Sequence, residues 1–296
     1  MSEPIHAGTA ADQPRPRGGD GRPTVALALG GGGARGLAHI HVIEALDDWG
    51  IRPVAVAGTS IGSIMGAALC AGMSGAFMRE HATSAFMNKS EMAARLWRLR
   101  PAALGGLARS GFRVGQLDVA RVMEAFLPAF PERFEELTIP LTVTATDYYG
   151  HKELRFASGD LASALAASAA IPGVFRPVRR DGRVLIDGGI CNPCPFDILE
   201  GVADIVIAVD VVGAPVGDET REPPMMDCII GANQLTMRTI TEAKRRISPP
   251  QIMLHSRHVP IRALDFHRAG DILEWSSHLR EDLHAALAMH GLKAAA

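Results

Sequence analysis

The sequence predicts an α/β protein with a mostly parallel sheet that is covered on both faces by helices. Short apolar runs typical of strands alternate with segments whose apolar residues recur at helical spacing. Two of the strand-like runs lead directly into glycine-framed turns and then into helix-like segments. Ligands of such sheets bind at the carboxyl ends of the strands, so these turns are the first candidates for a functional site.

Length and composition limit the classes of protein that the chain can represent. Its 296 residues are 47% apolar, enough for a sizeable core, and we expect a single folded domain. The formal net charge of -2 gives no general attraction to nucleic acid, which is not an expected partner. Four cysteines in this length do not indicate a disulfide framework, and the N-terminal residues lack the pattern of a secretory signal, so we expect a cytoplasmic protein.

The elements are predicted in order along the chain. Residues 1–23 are rich in proline, glycine and charge and predict a flexible tail, and residues 24–292 form the predicted domain. A first strand is expected at residues 24–29 and a helix at 37–46, followed by a second strand at 53–57 and a helix after Ser60. Later strands are expected at residues 141–145, 183–186, 204–211 and 251–254, with mainly helical stretches at 71–127 and 225–292.

The turn after the second strand, at residues 58–62, predicts a nucleophile. Its sequence is Gly-Thr-Ser-Ile-Gly, which places Ser60 between a strand and a helix. Such a serine needs small neighbours because its backbone is strained and a substrate must approach it. The alternative interpretation is an ordinary serine N-cap with tight-turn glycines.

The turn after the first strand contains four consecutive glycines, residues 30–33. Glycines at the start of a helix expose backbone N–H groups that can stabilise an anion, including a transition-state oxyanion. Residues 31–36 also match the G-x-G-x-x-G pattern of dinucleotide-binding proteins. That function needs an acidic residue at the end of the next strand, where the Ser60 turn stands instead, so no nucleotide cofactor is expected.

A base for Ser60 is predicted at Asp187, which directly follows the strand at residues 183–186. The ordinary pKa of aspartate is near 3.9, so burial would have to raise the pKa of Asp187 and hold it within hydrogen-bond reach of Ser60. A turn-forming aspartate before glycine is the plainer alternative. Asp147 and Asp210 are competing carboxylates, and a Ser-His-Asp hydrolase would instead use a histidine, for which the candidates are His255, His258 and His267.

The blocks at residues 31–36, 58–62 and 187–189 resemble, in this order, the three signature motifs of the patatin-like phospholipase family. The likeness includes residues 169–178 and extends over about 24–283. It implies a three-layer αβα sandwich and a lipid acyl hydrolase of the phospholipase A, lysophospholipase or esterase type (EC 3.1.1.-), without metal or cofactor. A catalytically silent regulatory or lipid-binding protein of the same fold is the alternative.

Residue by residue, the resemblance implies a catalytic dyad of Ser60 as nucleophile and Asp187 as base. The implied oxyanion hole consists of the amides of Gly31, Gly32 and Gly33. The remaining motif residues are implied to support the site: Arg35, Gly36, Gly58, Gly62, Gly188 and Gly189. His41 departs from the family pattern, since bacterial members often have glycine there.

Two further features are open to more than one interpretation. Cys191 and Cys194 form a C-x-x-C pair, which suits a redox couple or half of a metal site, but no second pair accompanies them and we interpret them as ordinary cysteines. Residues 79–113 contain seven basic and two acidic side chains among bulky apolar ones. This composition suits peripheral contact with an anionic lipid surface, but a solvated helical cap with an ordinary buried face explains the same residues and is the favoured interpretation. The expected partner is a lipid or ester substrate.

Overall fold

A computed structural model of the chain describes residues 22–87, 117–217, 220–257 and 260–292. These segments form a mixed, mostly parallel sheet of eight strands with helices flanking it. The predicted α/β fold class is therefore confirmed. The predicted tail, apart from residues 22–23, lies outside the described residues, as do residues 88–116 of the predicted helical stretch at 71–127.

The strands are β1 (Val25–Leu29), β2 (Ala55–Thr59), β3 (Leu141–Asp147), β4 (Lys152–Phe156), β5 (Val178–Arg180), β6 (Arg183–Asp187), β7 (Ile205–Asp210) and β8 (Ile252–His255). The α-helices of the described segments are α1 (His39–Asp48), α2 (Ile61–Cys70), α3 (Gly75–Met87), α4 (Val119–Phe126), α5 (Leu161–Ser168), α6 (Met225–Ile247), α7 (Ala269–Trp275) and α8 (His278–Met289). A 3₁₀ helix at Gly33–Ala38 joins the four-glycine turn to α1.

The strand order is β5-β6-β3-β2-β1-β7-β8, with β4 pairing with β3. The pairs β3–β2, β2–β1, β1–β7 and β7–β8 are parallel, whereas β4 and β6 are both antiparallel to β3. The β5–β6 pair is antiparallel as well. The parallel half of the sheet consequently presents the carboxyl ends of β2, β1 and β7 at one edge, next to the turns that follow them.

The two faces of β1 belong to different apolar clusters. Val25, Leu27 and Leu29 join the large cluster that includes residues of α1, α2 and α8. Ala26 and Ala28 lie on the other face, in the cluster of Phe196, which is 1% exposed. Small side chains on this face let the Phe196 ring pack closely against the sheet. Both faces are thus buried, as the uninterrupted apolar run predicted.

The structure differs from the predicted elements in three ways. β2 begins two residues later than predicted and continues through Thr59, and β4 and β5 were not predicted. β4 is a half-exposed strand with three charged residues, and β5 has only three residues, so neither carries an apolar run. The predicted helical character of the last third is borne out by α6, α7 and α8, and Leu279, Leu283 and Leu287 are fully buried on one side of α8.

Candidate active site

β2 and β6 end at the same place in the sheet because they occupy successive stretches of one edge of β3. Residues 143–144 pair with β2 and β4, and residues 145–147 pair with β4 and β6. β4 fills one edge continuously, so β2 and β6 share the other. Thr59 lies opposite Thr144 and Asp187 opposite Ala145, one residue further along. The residue after Thr59 therefore meets the end of β6.

Ser60 connects β2 to α2 in a conformation that side chains rarely adopt. Its φ is 54° and its ψ is -125°. Such a left-handed backbone costs roughly 1–3 kcal/mol and persists only where the surroundings hold it. The Ser60 N–H donates to the Oγ of Ser168 (2.8 Å), and the Ser60 carbonyl accepts from both the backbone N–H and the hydroxyl of Ser63. These bonds fix the turn with the Ser60 hydroxyl at its apex.

The Ser60 hydroxyl donates a hydrogen bond of 2.6 Å to Oδ2 of Asp187. The other carboxylate oxygen, Oδ1, accepts from the backbone N–H of Gly189 at 2.7 Å. Both side chains are buried, and burial raises the pKa of Asp187 to about 6 in spite of these two hydrogen bonds. The carboxylate is ionised at neutral pH and is more basic than an ordinary aspartate.

The competing aspartates at strand ends have other partners. Asp147 forms an ion pair with Arg183, whose hydrogen bond lowers the pKa of that carboxyl. Asp210 accepts from the backbone N–H of Val212 and lies 3.4 Å from the Nδ1 of His255. The structure therefore brings neither of them to Ser60.

No histidine in the described segments is hydrogen-bonded to Ser60 or Asp187. His255 is mostly exposed beside Asp210, and His267 lines the cavity described below. His258, the third candidate base, lies outside the described residues. His41 binds the Leu273 carbonyl through Nε2, between α1 and α7, away from the dyad.

The four-glycine turn lies directly against Ser60. A side chain on Gly31 would come within 3.3 Å of the Ser60 Cβ, so the backbone approaches Ser60 as closely as glycine permits. The N–H of Gly31 is already donated to the Pro193 carbonyl at 2.8 Å. Within the described part of the chain, the N–H groups of Gly32 and Gly33 have no acceptor. Of the three expected oxyanion donors, these two are the uncommitted ones.

Arg35 and His39 hold this turn in place. The buried Arg35 guanidinium donates to the carbonyls of Val211 (3.3 Å) and Ile261 (2.5 Å). His39 is fully buried, its Nε2 is 2.8 Å from the Gly30 carbonyl oxygen, and burial lowers its pKa to about 4. The imidazole is therefore neutral and donates from Nε2. Sequence reasoning missed His39, because nothing in the local sequence shows which backbone group a buried histidine binds.

The motif glycines are required where chain segments touch. A Cβ on Gly58 would lie 2.5 Å from the Ser63 Cα, and one on Gly188 would lie 2.5 Å from the Thr144 carbonyl oxygen. A Cβ on Gly36 would overlap the Ile61 side chain. Contacts this short exclude any larger side chain, so these glycines let the turns converge on Ser60 and Asp187.

An apolar cavity of about 400 Å³ extends from Ser60. Its walls come from α2, α3, α4 and the segments at residues 169–175 and 263–267. Among the described residues that line it, polar side chains are limited to Ser60, His81 and His267. A cavity of this size and lining is suited to an apolar group attached to the atom that reacts at Ser60. The sequence alone did not identify these walls.

The cysteine pair and the basic segment have different outcomes. Cys191 and Cys194 are free thiols, and burial raises the pKa of Cys194 well above its usual value, which makes it unreactive. Of the basic segment at 79–113, residues 88–113 lie outside the described residues, so its lipid contact stays a prediction. In the described segments, no helix is long and apolar enough to cross a membrane.

Comparisons with known proteins find one family. A family model for patatin-like phospholipase matches residues 27–200. An uncharacterized NTE family protein of Mycobacterium tuberculosis is 39% identical over 208 residues, which are 70% of this chain and 54% of that protein. Patatin-like phospholipase domain-containing protein 6 of Homo sapiens is 31% identical over 191 residues, 64% of this chain and 13% of that protein.

The chain thus spans about half the length of its mycobacterial relatives. Among solved structures, VipD from Legionella pneumophila matches 87% of this chain and 67% of its own, with 16% identity and a TM-score of 0.40.

Proposed function

Because the chain belongs to the patatin-like phospholipase family, we propose that it hydrolyses carboxylic esters of lipids through an acyl-enzyme on Ser60. The observation that carries this proposal is the 2.6 Å hydrogen bond from the Ser60 hydroxyl to the Asp187 carboxylate. It joins a hydroxyl in a strained turn to a buried carboxylate of raised pKa, which is the arrangement that activates a serine.

The first half-reaction transfers the acyl group to the enzyme. Asp187 takes the proton of Ser60 as the Ser60 oxygen attacks the ester carbonyl, and the carbonyl oxygen becomes an oxyanion. The N–H groups of Gly32 and Gly33 and the N-terminus of α2 supply positive electrostatic potential next to Ser60. The protonated Asp187 then gives its proton to the leaving alcohol as the tetrahedral intermediate collapses.

The second half-reaction releases the acid. Asp187, again a carboxylate, takes a proton from a water molecule that attacks the acyl-serine, and Ser60 is regenerated. A lipid is the proposed source of the ester because the cavity beside Ser60 is almost entirely apolar and large enough for an acyl chain. No step of this proposed reaction requires a metal ion.

The proposal is tested with Ser60→Ala and Asp187→Asn, assayed on p-nitrophenyl butyrate. Each variant is expected to lower kcat by about a thousandfold or more, since removing either member of a dyad that acts as a unit abolishes activation. Matched controls are Ser84→Ala, on the exposed side of α3, and Asp181→Asn, in the turn that leads into β6. Both controls are expected to keep wild-type turnover.

A fluorophosphonate probe separates this proposal from a catalytically silent lipid-binding protein. The probe phosphonylates activated serines only, so the wild type and both controls are expected to react with it, and Ser60→Ala to remain unlabelled. Turnover that persists in Ser60→Ala or in Asp187→Asn would reject the dyad. A wild-type protein that neither turns over esters nor reacts with the probe would favour the silent protein.

A further inference from the structure

One wall of the cavity is a single face of α2 that begins at the nucleophile. The α2 residues that line the cavity are Ile61, Ile64, Met65 and Ala68. The last three of these residues follow Ile61 by three, four and seven positions, which places all four on one side of the helix. A helix rises 1.5 Å per residue, so this face extends about 10 Å from the residue after Ser60. No residue of α2 beyond Ala68 lines the cavity.

Ala68 has the smallest side chain on this face, and it stands farthest from Ser60 along the helix. The positions nearer the nucleophile carry the larger side chains of isoleucine and methionine. The opposite walls, on α3 and α4, include Met78, Ala82 and Val122 at the cavity surface. These groups offer no hydrogen bond to a ligand, so an aliphatic chain is the chemistry that the lining accommodates.

We propose that one acyl chain of the substrate lies along this face of α2, and that Ala68 sets the length of chain the cavity accepts. The inference rests on the proposed function, because it takes the ester carbonyl to be at the Ser60 hydroxyl. The chain then extends from the carbonyl carbon past Ile61 and Ile64 towards Ala68. A larger side chain at Ala68 fills the space that the distal carbons occupy.

The test compares Ala68→Leu with the wild type on p-nitrophenyl esters of two and ten carbons. Leucine adds three carbon atoms at the distal end of the face, and each methylene group excluded from an apolar site costs about fourfold in kcat/KM. The ratio of kcat/KM for decanoate to that for acetate is therefore expected to fall at least about tenfold. Ala68→Val is expected to give a smaller fall in the same ratio.

The matched control is Ala71→Leu, at the end of α2 but outside the cavity lining. It is expected to leave the ratio within about twofold of the wild type. Thermal melting followed by circular dichroism establishes which variants fold, and if Ala68→Leu does not, Ala68→Val decides the test. A folded Ala68 variant with an unchanged ratio would overturn the inference.

Failure of this inference is distinct from failure of the proposed function. If Ser60→Ala retains acetate hydrolysis, the proposed function itself is rejected. If acetate hydrolysis depends on Ser60 but the decanoate-to-acetate ratio of kcat/KM is unchanged in the Ala68 variants, the proposed function stands. The acyl chain then lies elsewhere in the cavity.

Discussion

Asp187 is buried beside a hydroxyl and a backbone amide, and its hydrogen-bond partners in the described segments include no cation. Removing a carboxylate from water disfavours its charged form, and neutral donors repay only part of that penalty. Asp147 shows the contrast, since its ion pair with Arg183 lowers its pKa whereas burial raises that of Asp187 to about 6. Neighbours therefore make one aspartate structural and leave the other basic enough to accept a proton.

The raised pKa of Asp187 predicts that Asp187→Asn stabilises the protein at neutral pH. A carboxyl with a raised folded-state pKa contributes stability below its unfolded pKa near 4, and that contribution is lost as the pH rises through about 6. The shift of about two units corresponds to roughly 3 kcal/mol. Urea unfolding at pH 8 should show a gain of that order for Asp187→Asn, which disappears below about pH 4.

The proposed reaction predicts that turnover depends on the same pKa. Because only the ionised carboxylate accepts the Ser60 proton, kcat/KM of the wild type should fall as the pH drops through about 6. Asp181→Asn, with an exposed side chain, is the control for both measurements and should follow the wild type. Equal stability of wild type and Asp187→Asn at pH 8 would contradict the buried-charge account.

That Ser60 and Asp187 lie together was predictable from the sequence, whereas the residues that orient them were not. Glycines on both sides of Ser60 and after Asp187 are visible in the sequence because tight turns demand them. Ser168 and His39 act through hydrogen bonds to the backbone of Ser60 and Gly30. A buried serine or histidine in a helix has no local sequence signal of such a partner, which depends on how distant segments pack.

At the scale of elements, α2 crosses the end of β1 at its second residue. A Cβ on Gly62 would lie 2.1 Å from the Leu29 carbonyl oxygen and 2.6 Å from that of Gly30. One turn later, a Cβ on Gly66 would meet methyl groups of Val56 and Leu141 at 3.1 and 3.2 Å. Backbone atoms cannot move aside as side chains can. Position 66 therefore tolerates a Cβ atom better than position 62 does.

This difference predicts a large loss of stability for one alanine substitution and a small change for the other. Gly62→Ala should lower the free energy of unfolding by about 2–3 kcal/mol or more and lower kcat at least about tenfold, because α2 must move and take Ser60 with it. Gly66→Ala is the matched control and should lie within about 1 kcal/mol of the wild type, since alanine favours the helix and the methyl groups can adjust. Chemical denaturation and ester turnover of both variants check this, and a wild-type-like Gly62→Ala would contradict it.

The direction of β6 shows what the element pattern left out. Sequence periodicity predicts a strand before Asp187, and the structure has one at Arg183–Asp187. The prediction took the sheet to be mostly parallel, with Asp187 at a carboxyl end beside that of β2. In the structure β6 runs antiparallel to β3 and meets β2 end to end. Periodicity indicates which residues are buried but gives no strand direction. It therefore did not show that Ser60 and Asp187 meet because β2 and β6 approach each other end to end along β3.

At the scale of the whole molecule, the glycine turn depends on chain that follows residue 200. The Gly30 N–H donates to the Val209 carbonyl and the Ala34 N–H to the Ala263 carbonyl. Arg35 binds the carbonyls of Val211 and Ile261. β7 is buried along its whole length between β1 and β8. The family model ends at residue 200, so the matched region lacks these carbonyl acceptors of its own glycine turn.

These contacts predict how far the chain can be shortened. A chain of residues 22–292 keeps every described contact of the site and should retain turnover of p-nitrophenyl butyrate, in line with a domain at 24–292 and a dispensable tail. A chain of residues 22–200 lacks β7, so it exposes one edge of β1, and it loses the acceptors of Gly30, Ala34 and Arg35. It should fail to give a cooperative thermal transition and should have no measurable turnover, because exposing β1 removes apolar burial that the whole sheet requires. Thermal melting followed by circular dichroism and the ester assay on both shortened chains test this prediction. A folded, active chain of residues 22–200 would contradict it, because the glycine turn would then be held by residues within the family region alone.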